Sequence, residues 1–237
     1  MAASGRRPAA PPGPADPPRP PQAPEPGTPP EFLFDGPQQG PTLVLAHGAG
    51  APMDSPFLAA MAAGLAARGL RVARFEFPYM RARRLGGGRK APDREPELRR
   101  SWLAAIAALG GGGRVWIGGK SMGGRIASMV ADEAAVRGLV CLGYPFRPPG
   151  AAPAAAEKRT AHLRHLRTPA LIVQGTRDAF GGPSEVAGYE LAAGIRIHWI
   201  DDGDHSLAPR KSSGRTAAQT LAEAVAAVAA FVRGEKD

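Results

Sequence analysis

The stretch VWIGGKSMGGRIASMVA, residues 115–131, decides the fold of this chain. It begins as an apolar run typical of a buried strand and continues, after two glycines, into a pattern typical of a helix. Two local structures fit the glycines in between. One is a wide loop that binds phosphate through backbone N–H groups, and the other is a tight turn that presents a serine side chain.

A phosphate-binding loop requires Gly, four residues of any type, and then Gly-Lys-Ser or Gly-Lys-Thr. Gly119, Lys120 and Ser121 supply the second half of this pattern, but the first glycine would have to be residue 114, which is Arg114. The four residues 115–118 belong to the apolar run itself. The sequence therefore leaves no loop to hold phosphate, and a nucleotide-binding function depends on three residues alone.

The same residues match Gly-x-Ser-x-Gly, from Gly119 to Gly123, placed directly between a predicted strand and a predicted helix. This context is typical of a nucleophile elbow, in which small residues two positions either side of the serine avoid neighbouring backbone. Ser121 would then project above the sheet at the start of the helix. The alternative is that Ser121 serves only as the N-cap of that helix, a position that serine favours.

Strand and helix patterns alternate along the rest of the chain. Apolar strands separated by amphipathic helices predict a three-layer α/β/α sandwich with a mostly parallel sheet covered on both faces. A further run, EFLFDG at 31–36, predicts an edge strand. The predicted core strands are TLVLAH (42–47), LRVARFEF (70–77), RVWIGG (114–119), GLVCLGY (138–144), ALIVQG (170–175) and IRIHWID (195–201). The predicted helices cover about 56–68, 96–109, 122–136, 159–166, 184–193 and 213–233.

An acid and a histidine follow the last two strands in the order that such a serine requires. Asp178 lies in the loop after strand 170–175, and His205 lies in the loop after strand 195–201. Because the carboxyl ends of parallel strands share one edge, Ser121, Asp178 and His205 are expected to converge there as nucleophile, orienting acid and base.

The choice of acid is open at this point. Asp201, Asp202 and Asp204 are all close to His205 in sequence, and any of them is a candidate to orient the imidazole. His47 is not the expected base, because it precedes Ser121 and would leave His205 without a role.

The segment His47 to Gly50, HGAG, ends the first core strand with small residues whose backbone can approach a substrate. We expect the N–H groups of Ala49 and Met122 to form an oxyanion hole. His47 and Gly48 are expected to line the substrate side of this loop, with the His47 side chain hydrogen-bonded within the loop.

Three aromatic residues, Tyr79, Tyr144 and Phe180, fall at predicted strand ends. They are expected either to line the substrate pocket or to belong to the peripheral core. Lys120 either attracts an anionic substrate or packs behind the serine.

The motifs HGAGAPMDSPF, FEFPYM, GGKSMGGR, GTRD and GDHS, taken in order, resemble the α/β-hydrolase superfamily. In particular they resemble a small cap-less family found in bacteria, with animal relatives described as testis-expressed or as a subunit of a histone-acetylating complex. The resemblance covers residues 41–233. It implies Ser121 as nucleophile, Asp178 and His205 as its partners and the loop 47–50 as the oxyanion strand end, and it implies that some relatives serve as interaction modules.

Residues 1–30 are rich in proline and alanine and predict a disordered tail, and 31–237 predict a single hydrolase domain without a cap. No window of the sequence is apolar enough to span a bilayer. Cys141 is the only cysteine, which suits a reducing cytoplasm. We therefore expect a soluble, cytoplasmic protein with no membrane association.

The net charge of +9 is concentrated in segment 79–100, which predicts a solvated loop or an anion-recruiting rim. No nucleic-acid-reading motif accompanies it, so no nucleic-acid partner is expected. His162 and His165 share a helical spacing that suggests a metal pair, but no carboxylate accompanies them and an exposed helix face is expected instead.

The sequence thus predicts a serine hydrolase that cleaves a small-molecule carboxylic ester or thioester through an acyl-enzyme, with no cofactor and no metal. The alternative is a non-catalytic interaction module of the same fold, which would bind a protein partner through the proline-rich tail or the basic segment.

Overall fold

The computed structural model of the chain describes residues 30–88 and 90–235. The predicted tail therefore lies outside the described residues, apart from Pro30. The described residues form a seven-stranded sheet. Its strands are β1 (Phe32–Asp35), β2 (Thr42–Ala46), β3 (Arg71–Phe75), β4 (Val115–Lys120), β5 (Gly138–Leu142), β6 (Ala170–Gly175) and β7 (Ile195–Ile200).

The strands are arranged in the order β1-β3-β2-β4-β5-β6-β7. β1, the predicted edge strand, pairs with β3 in antiparallel fashion, and all other neighbours are parallel. The chain leaves β2 first toward β3 on one side and later returns to β4 on the other side. This reversal opens a crevice at the carboxyl ends of β2 and β4, where ligands bind in sheets of this kind.

The described residues form seven α-helices, of which six lie between strands and the last follows β7. The predicted boundaries of helices 56–68, 96–109 and 213–233 hold to within a few residues. Predicted helix 122–136 instead ends at Val130, and predicted helix 184–193 is reduced to one turn. Predicted helix 159–166 begins earlier and continues as a 3-10 helix, Ala161–His165. The α-helices are α1 (Pro56–Ala66), α2 (Pro78–Arg84), α3 (Glu95–Ala108), α4 (Met122–Val130), α5 (Glu157–Thr160), α6 (Pro183–Val186) and α7 (Ala217–Arg233).

Helix α2 was not predicted, and it corrects the expectation that segment 79–100 is a solvated loop. Pro78 occupies the first turn, where its missing N–H costs nothing, and Tyr79 and Met80 are buried. Arg84 then pairs with Asp54 and Glu76. Arg84 thus ties this helix to the loop after β2.

The alternating side chains of β2 show how the two faces of the sheet are covered. Leu43 and Leu45 belong to the cluster under α1 and α7, whereas Val44 and Ala46 belong to the cluster under α3 and α4. Every one of these four side chains is fully buried. This double burial explains why the strand reads as a continuous apolar run.

Trp102 on α3 links the core to the turn between β4 and α4. Its side chain is fully buried, its ring lies 4.8 Å from the ring of Phe75, and its Nε1–H donates to the carbonyl oxygen of Gly123 at 3.3 Å. Burial of an indole of this size contributes several kcal/mol to folding. The same contact fixes the first turn of α4.

The connection between β5 and β6 is the usual place for a lid above this edge of the sheet, and in the described structure it holds only short helical turns. The described helices include none that is long and apolar enough to cross a membrane. The carboxyl edge of the sheet is therefore not covered by a separate layer in the described part of the chain.

We expect Trp102→Ala to lower the free energy of unfolding by about 3–5 kcal/mol, because it leaves a large cavity between α3 and the sheet. Trp102→Phe keeps most of the packing and loses the hydrogen bond to Gly123, so its cost should be about 1 kcal/mol. Urea unfolding measures both. A smaller loss of unfolding free energy in Trp102→Ala than in Trp102→Phe would contradict the packing described here.

Candidate active site

The turn between β4 and α4 forces an unusual backbone on Ser121, with φ 50° and ψ −116°. The residues on either side explain the glycines. A Cβ at Gly119 would lie 2.3 Å from the carbonyl oxygen of Ala46, and a Cβ at Gly123 would lie 2.5 Å from the same atom. β2, β4 and α4 therefore pack at a distance that only glycine permits at these two positions.

Three side chains meet at the end of this turn. The Oγ of Ser121 lies 2.9 Å from Nε2 of His205, and Nδ1 of His205 lies 2.8 Å from Oδ2 of Asp178. Although Ser121 occupies the N-cap position of α4, its hydroxyl makes no capping hydrogen bond. The structure thus favours the second interpretation of the serine, as a group presented to the histidine rather than a cap.

Asp178 is buried and is held by two donors besides the histidine. The side-chain amide of Gln174 donates to Oδ2 at 2.9 Å, and the backbone N–H of Phe180 donates to Oδ1 at 2.8 Å. Hydrogen bonds to both oxygens fix the plane of the carboxylate. The carboxylate can therefore accept the Nδ1–H of His205 in one orientation.

The other aspartates near His205 have different partners. Asp202 accepts from the backbone and guanidinium of Arg210, and Asp204 accepts from the backbone N–H groups of Ser206 and Ala208. Arg210 lowers the pKa of Asp202 through its hydrogen bond. Among the aspartates that the sequence left open, Asp178 contacts Nδ1 of His205, at 2.8 Å.

These contacts define the tautomer of His205. The carboxylate of Asp178 can only accept, so Nδ1 carries the proton and Nε2 presents its lone pair to the hydroxyl of Ser121. Phe180, predicted to line the pocket, is half-buried and packs on the imidazole, with the ring centroids 4.3 Å apart. The arrangement is able to move a proton from the hydroxyl to the imidazole.

Small residues after β2 lie beside the serine, as predicted. A Cβ at Gly48 would lie 3.7 Å from the Cβ of Ser121, so this loop is in contact with the turn. Ala49 is exposed, and its carbonyl accepts the hydroxyl of Tyr79 at 3.1 Å. Met122 is the first residue of α4, whose opening N–H groups have no acceptor within the helix. The loop after β2 and the first turn of α4 therefore both lie beside Ser121.

His47 holds the loop rather than lining a pocket, which corrects the expectation that it faces substrate. Its side chain is fully buried, its Nε2 accepts the N–H of Phe77 at 3.1 Å, and its Nδ1 lies 2.7 Å from the carbonyl oxygen of Gly48. Burial lowers the pKa of His47. A neutral His47 with a proton on Nδ1 thus ties the end of β2 to the end of β3.

Tyr79 and Tyr144 also lie behind the site instead of lining it. Tyr79 is 2% exposed and supports the Ala49 carbonyl, while Tyr144 is 0% exposed and donates its hydroxyl to the carbonyl oxygen of Arg159 at 2.6 Å. Burial raises the pKa of both phenols. Both side chains belong to the core, which was the alternative interpretation of these residues.

Sequence reasoning missed Gln174 and the ion pairs around the loop after β2. Gln174, inside β6, also accepts the N–H of Tyr144 at 2.7 Å, so it joins two strands to the acid. Glu76 accepts the N–H of Met53, and Arg74 donates to the carbonyl of Met53 at 2.9 Å. A polar residue within an otherwise apolar strand is the signal that would have identified Gln174.

A second serine and histidine are also in contact. Ser128, inside α4, lies 2.8 Å from Nε2 of His162, and its hydroxyl donates to the carbonyl of Arg125. Burial lowers the pKa of His162 to about 4, so the expectation of an exposed helix face is wrong for this residue. Ser128 has ordinary helical backbone and is 3% exposed, which separates this pair from the solvent-accessible group at Ser121.

Within the described ranges, no cluster of three or more histidine, cysteine or acidic side chains has the geometry to bind a metal ion. His198 on β7 contacts Glu223 on α7 at 3.2 Å. Cys141 is buried, which raises the pKa of its thiol and makes it unreactive.

A family model described as an alpha/beta hydrolase domain matches residues 39–233. The chain belongs to the alpha/beta hydrolase family. The fold is accordingly the alpha/beta hydrolase fold, with a mostly parallel sheet flanked by helices. The resemblance inferred from the sequence motifs is confirmed at the level of this superfamily.

Solved structures similar to this hydrolase domain include an alpha-beta serine hydrolase homologue from Coxiella burnetii, which is 18% identical with a TM-score of 0.62 over 84% of this chain and 90% of that chain. A serine hydrolase without lid from Xanthomonas campestris is 18% identical, with a TM-score of 0.61 over 86% and 88% of the two chains. Est1E from Butyrivibrio proteoclasticus, solved with ferulic acid, is 16% identical, with a TM-score of 0.62 over 86% and 94%. At these identities the likeness shows the fold.

We expect Gly123→Ala to lower the free energy of unfolding by about 1–3 kcal/mol, because its methyl group would overlap the carbonyls after β2. Gly113→Ala is the matched control, since a Cβ there has nothing within 4 Å. Its effect should stay within about 0.5 kcal/mol. Equal urea midpoints for the two variants would contradict the close packing at the turn.

Proposed function

We propose that this alpha/beta hydrolase cleaves carboxylic esters or thioesters with Ser121 as nucleophile, His205 as general base and acid, and Asp178 as the orienting carboxylate. The observation that carries the proposal is the continuous hydrogen-bonded chain from Ser121 through His205 to Asp178, with separations of 2.9 and 2.8 Å. Nothing in this chemistry requires a metal or an organic cofactor.

In the first half-reaction, the Oγ of Ser121 forms a bond to the substrate carbonyl carbon while its proton passes to Nε2 of His205. The tetrahedral intermediate then breaks its bond to the alcohol or thiol, which takes the proton from Nε2. Asp178 stabilises the imidazolium that exists between these steps. The products are an acyl group on Ser121 and the released alcohol or thiol.

In the second half-reaction, water attacks the acyl carbon and gives a proton to Nε2 of His205. The bond to Oγ breaks, Oγ recovers the proton, and the carboxylic acid leaves. We assign the N–H groups of Ala49 and Met122 to the oxyanion in both steps. Donors of this kind contribute about 3–4 kcal/mol each to transition-state stabilisation.

The absence of a lid between β5 and β6 in the described structure supports an open site, which suits small or protruding acyl groups. The solved neighbour without lid and the neighbour that binds ferulic acid carry the same fold and support a small-molecule substrate. Within the superfamily, the HGAGAPMDSPF and GGKSMGGR motifs support placing the chain in the small cap-less family that they resemble, and we retain the cytoplasm as its proposed location.

We expect a fluorophosphonate probe to label the native protein on the peptide that contains Ser121, because the hydroxyl beside a neutral imidazole displaces fluoride from phosphorus. Ser121→Ala should not be labelled. Ser128→Ala is the matched control, since it removes the other serine that contacts a histidine, and it should be labelled at the native rate. Intact-protein and peptide mass spectrometry measure the outcome.

Labelling that persists in Ser121→Ala or disappears in Ser128→Ala would place the nucleophile elsewhere. If the native protein is not labelled and the full chain instead binds a stable protein partner, the chain is a non-catalytic interaction module.

A panel of p-nitrophenyl esters and acyl thioesters of increasing chain length identifies the substrate class of the labelled protein. We expect kcat/KM to be highest for short acyl groups.

A further inference from the structure

Lys120 joins the serine turn to the histidine loop. It is the last residue of β4 and directly precedes Ser121, and its Nζ donates to the backbone carbonyl oxygen of His205 at 2.6 Å. The proposed mechanism uses the side chain of His205 but not this contact. A charged donor at this distance makes a stronger bond than a neutral one.

The space for this contact depends on Gly143, the residue after β5. A Cβ at Gly143 would lie 2.9 Å from Nζ of Lys120 and 2.7 Å from the carbonyl oxygen of His205. Gly143 also has φ 66°, which side-chain-bearing residues rarely adopt. The end of β5 therefore leaves room for the ammonium of Lys120 to reach the carbonyl oxygen of His205.

The ammonium is largely withdrawn from solvent. The ring of Phe57 on α1 lies with its centroid 5.8 Å from Nζ, and burial lowers the pKa of Lys120 to about 8. The ionisable groups that face it are Asp178 and Asp204, which oppose this lowering, and His205 itself. Lys120 therefore retains a charge in a place that disfavours charge.

The position of Gly143 also bounds the distance between Nζ of Lys120 and Nδ1 of His205. A Cβ there would lie 3.3 Å from Nδ1 of His205 and 2.9 Å from Nζ of Lys120. The two nitrogens are consequently within about 6 Å of each other, so Lys120 lies beside the imidazole as well as beside the carbonyl of His205.

We propose that Lys120 is a positioning residue, whose ammonium holds the His205 carbonyl and thereby keeps the imidazole of His205 in hydrogen-bonding reach of Ser121. This role involves no contact with the substrate. The inference rests on the proposed function, because it assigns a task to Lys120 within that same site.

The lowered pKa of Lys120 predicts how its charge affects the stability of the fold. Because the pKa of Lys120 in the folded protein, about 8, lies below its ordinary value of 10.5, folding disfavours the ammonium. This cost in folding free energy is fully present below pH 8 and is lost as the pH rises from about 8 to 10.5. Removing the charge at neutral pH should therefore not destabilise the fold, which distinguishes positioning for catalysis from a structural role.

The test compares Lys120→Met, which keeps most of the unbranched side chain but not the ammonium, with Lys158→Met, which removes an exposed lysine of α5. The readouts are the second-order rate of fluorophosphonate labelling from pH 5 to pH 10 and the urea midpoint at pH 7. We expect Lys120→Met to label about tenfold more slowly at pH 7, as the loss of one charge-assisted hydrogen bond implies. Lys158→Met should label at the native rate.

The pH profile provides the decisive comparison. In the native protein the labelling rate should fall above about pH 8, where the ammonium of Lys120 is lost. In Lys120→Met this fall should be absent, with a urea midpoint at least as high as native.

Three outcomes overturn the proposal. An unchanged labelling rate and profile in Lys120→Met shows that the contact is not used. Slower labelling with an unmoved profile and a lower urea midpoint shows a structural role only. No labelling of the native protein contradicts the proposed function itself, and is distinguished from the first two outcomes because in those the native protein is labelled.

Discussion

The backbone of Ser121 adopts a positive φ that costs about 1–3 kcal/mol, and the tight contact of β2, β4 and α4 holds it there. Glycines at 119 and 123 let the carbonyl of Ala46 approach within a distance that a methyl group would prevent. The strain aims the hydroxyl away from the helix that it begins and toward the loop after β7. The remaining features of the site depend on this one turn, because the histidine and the acid are positioned relative to its serine.

The parallel sheet brings the other residues of the site to this turn. The loops after β2, β4, β6 and β7 all leave the same edge, so residues far apart in sequence are brought within hydrogen-bonding distance. A network behind the edge then fixes each member: Gln174 orients Asp178, and Trp102 holds the carbonyl of Gly123. In the proposed mechanism the reacting groups are thus ordered before substrate arrives, which lowers the cost of reaching the transition state.

Sequence patterns predicted much of this arrangement, because it depends on short-range rules. The strand before Gly119, the glycines around Ser121 and the position of His205 after a strand each follow from local periodicity or sterics. Features that depend on tertiary contacts were missed: α2, with three arginines in its last turn, is stabilised by Glu76 and Asp54. The burial of Tyr144 and His162 and the shortening of α6 likewise depend on neighbours distant in sequence, which no single-chain pattern reveals.

The central claim is that Asp178 fixes a proton on Nδ1 of His205 and leaves Nε2 free to accept from Ser121, and ¹⁵N–¹H NMR of histidine-labelled protein measures this directly. The chain has five histidines, and His205→Gln identifies the relevant signals by their loss. For native protein at a pH where the imidazole is neutral, we expect a protonated Nδ1 and an unprotonated Nε2, and we expect Asp178→Asn to abolish that preference. A His205 imidazole protonated on Nε2, or one whose tautomer is the same in Asp178→Asn, would contradict the account.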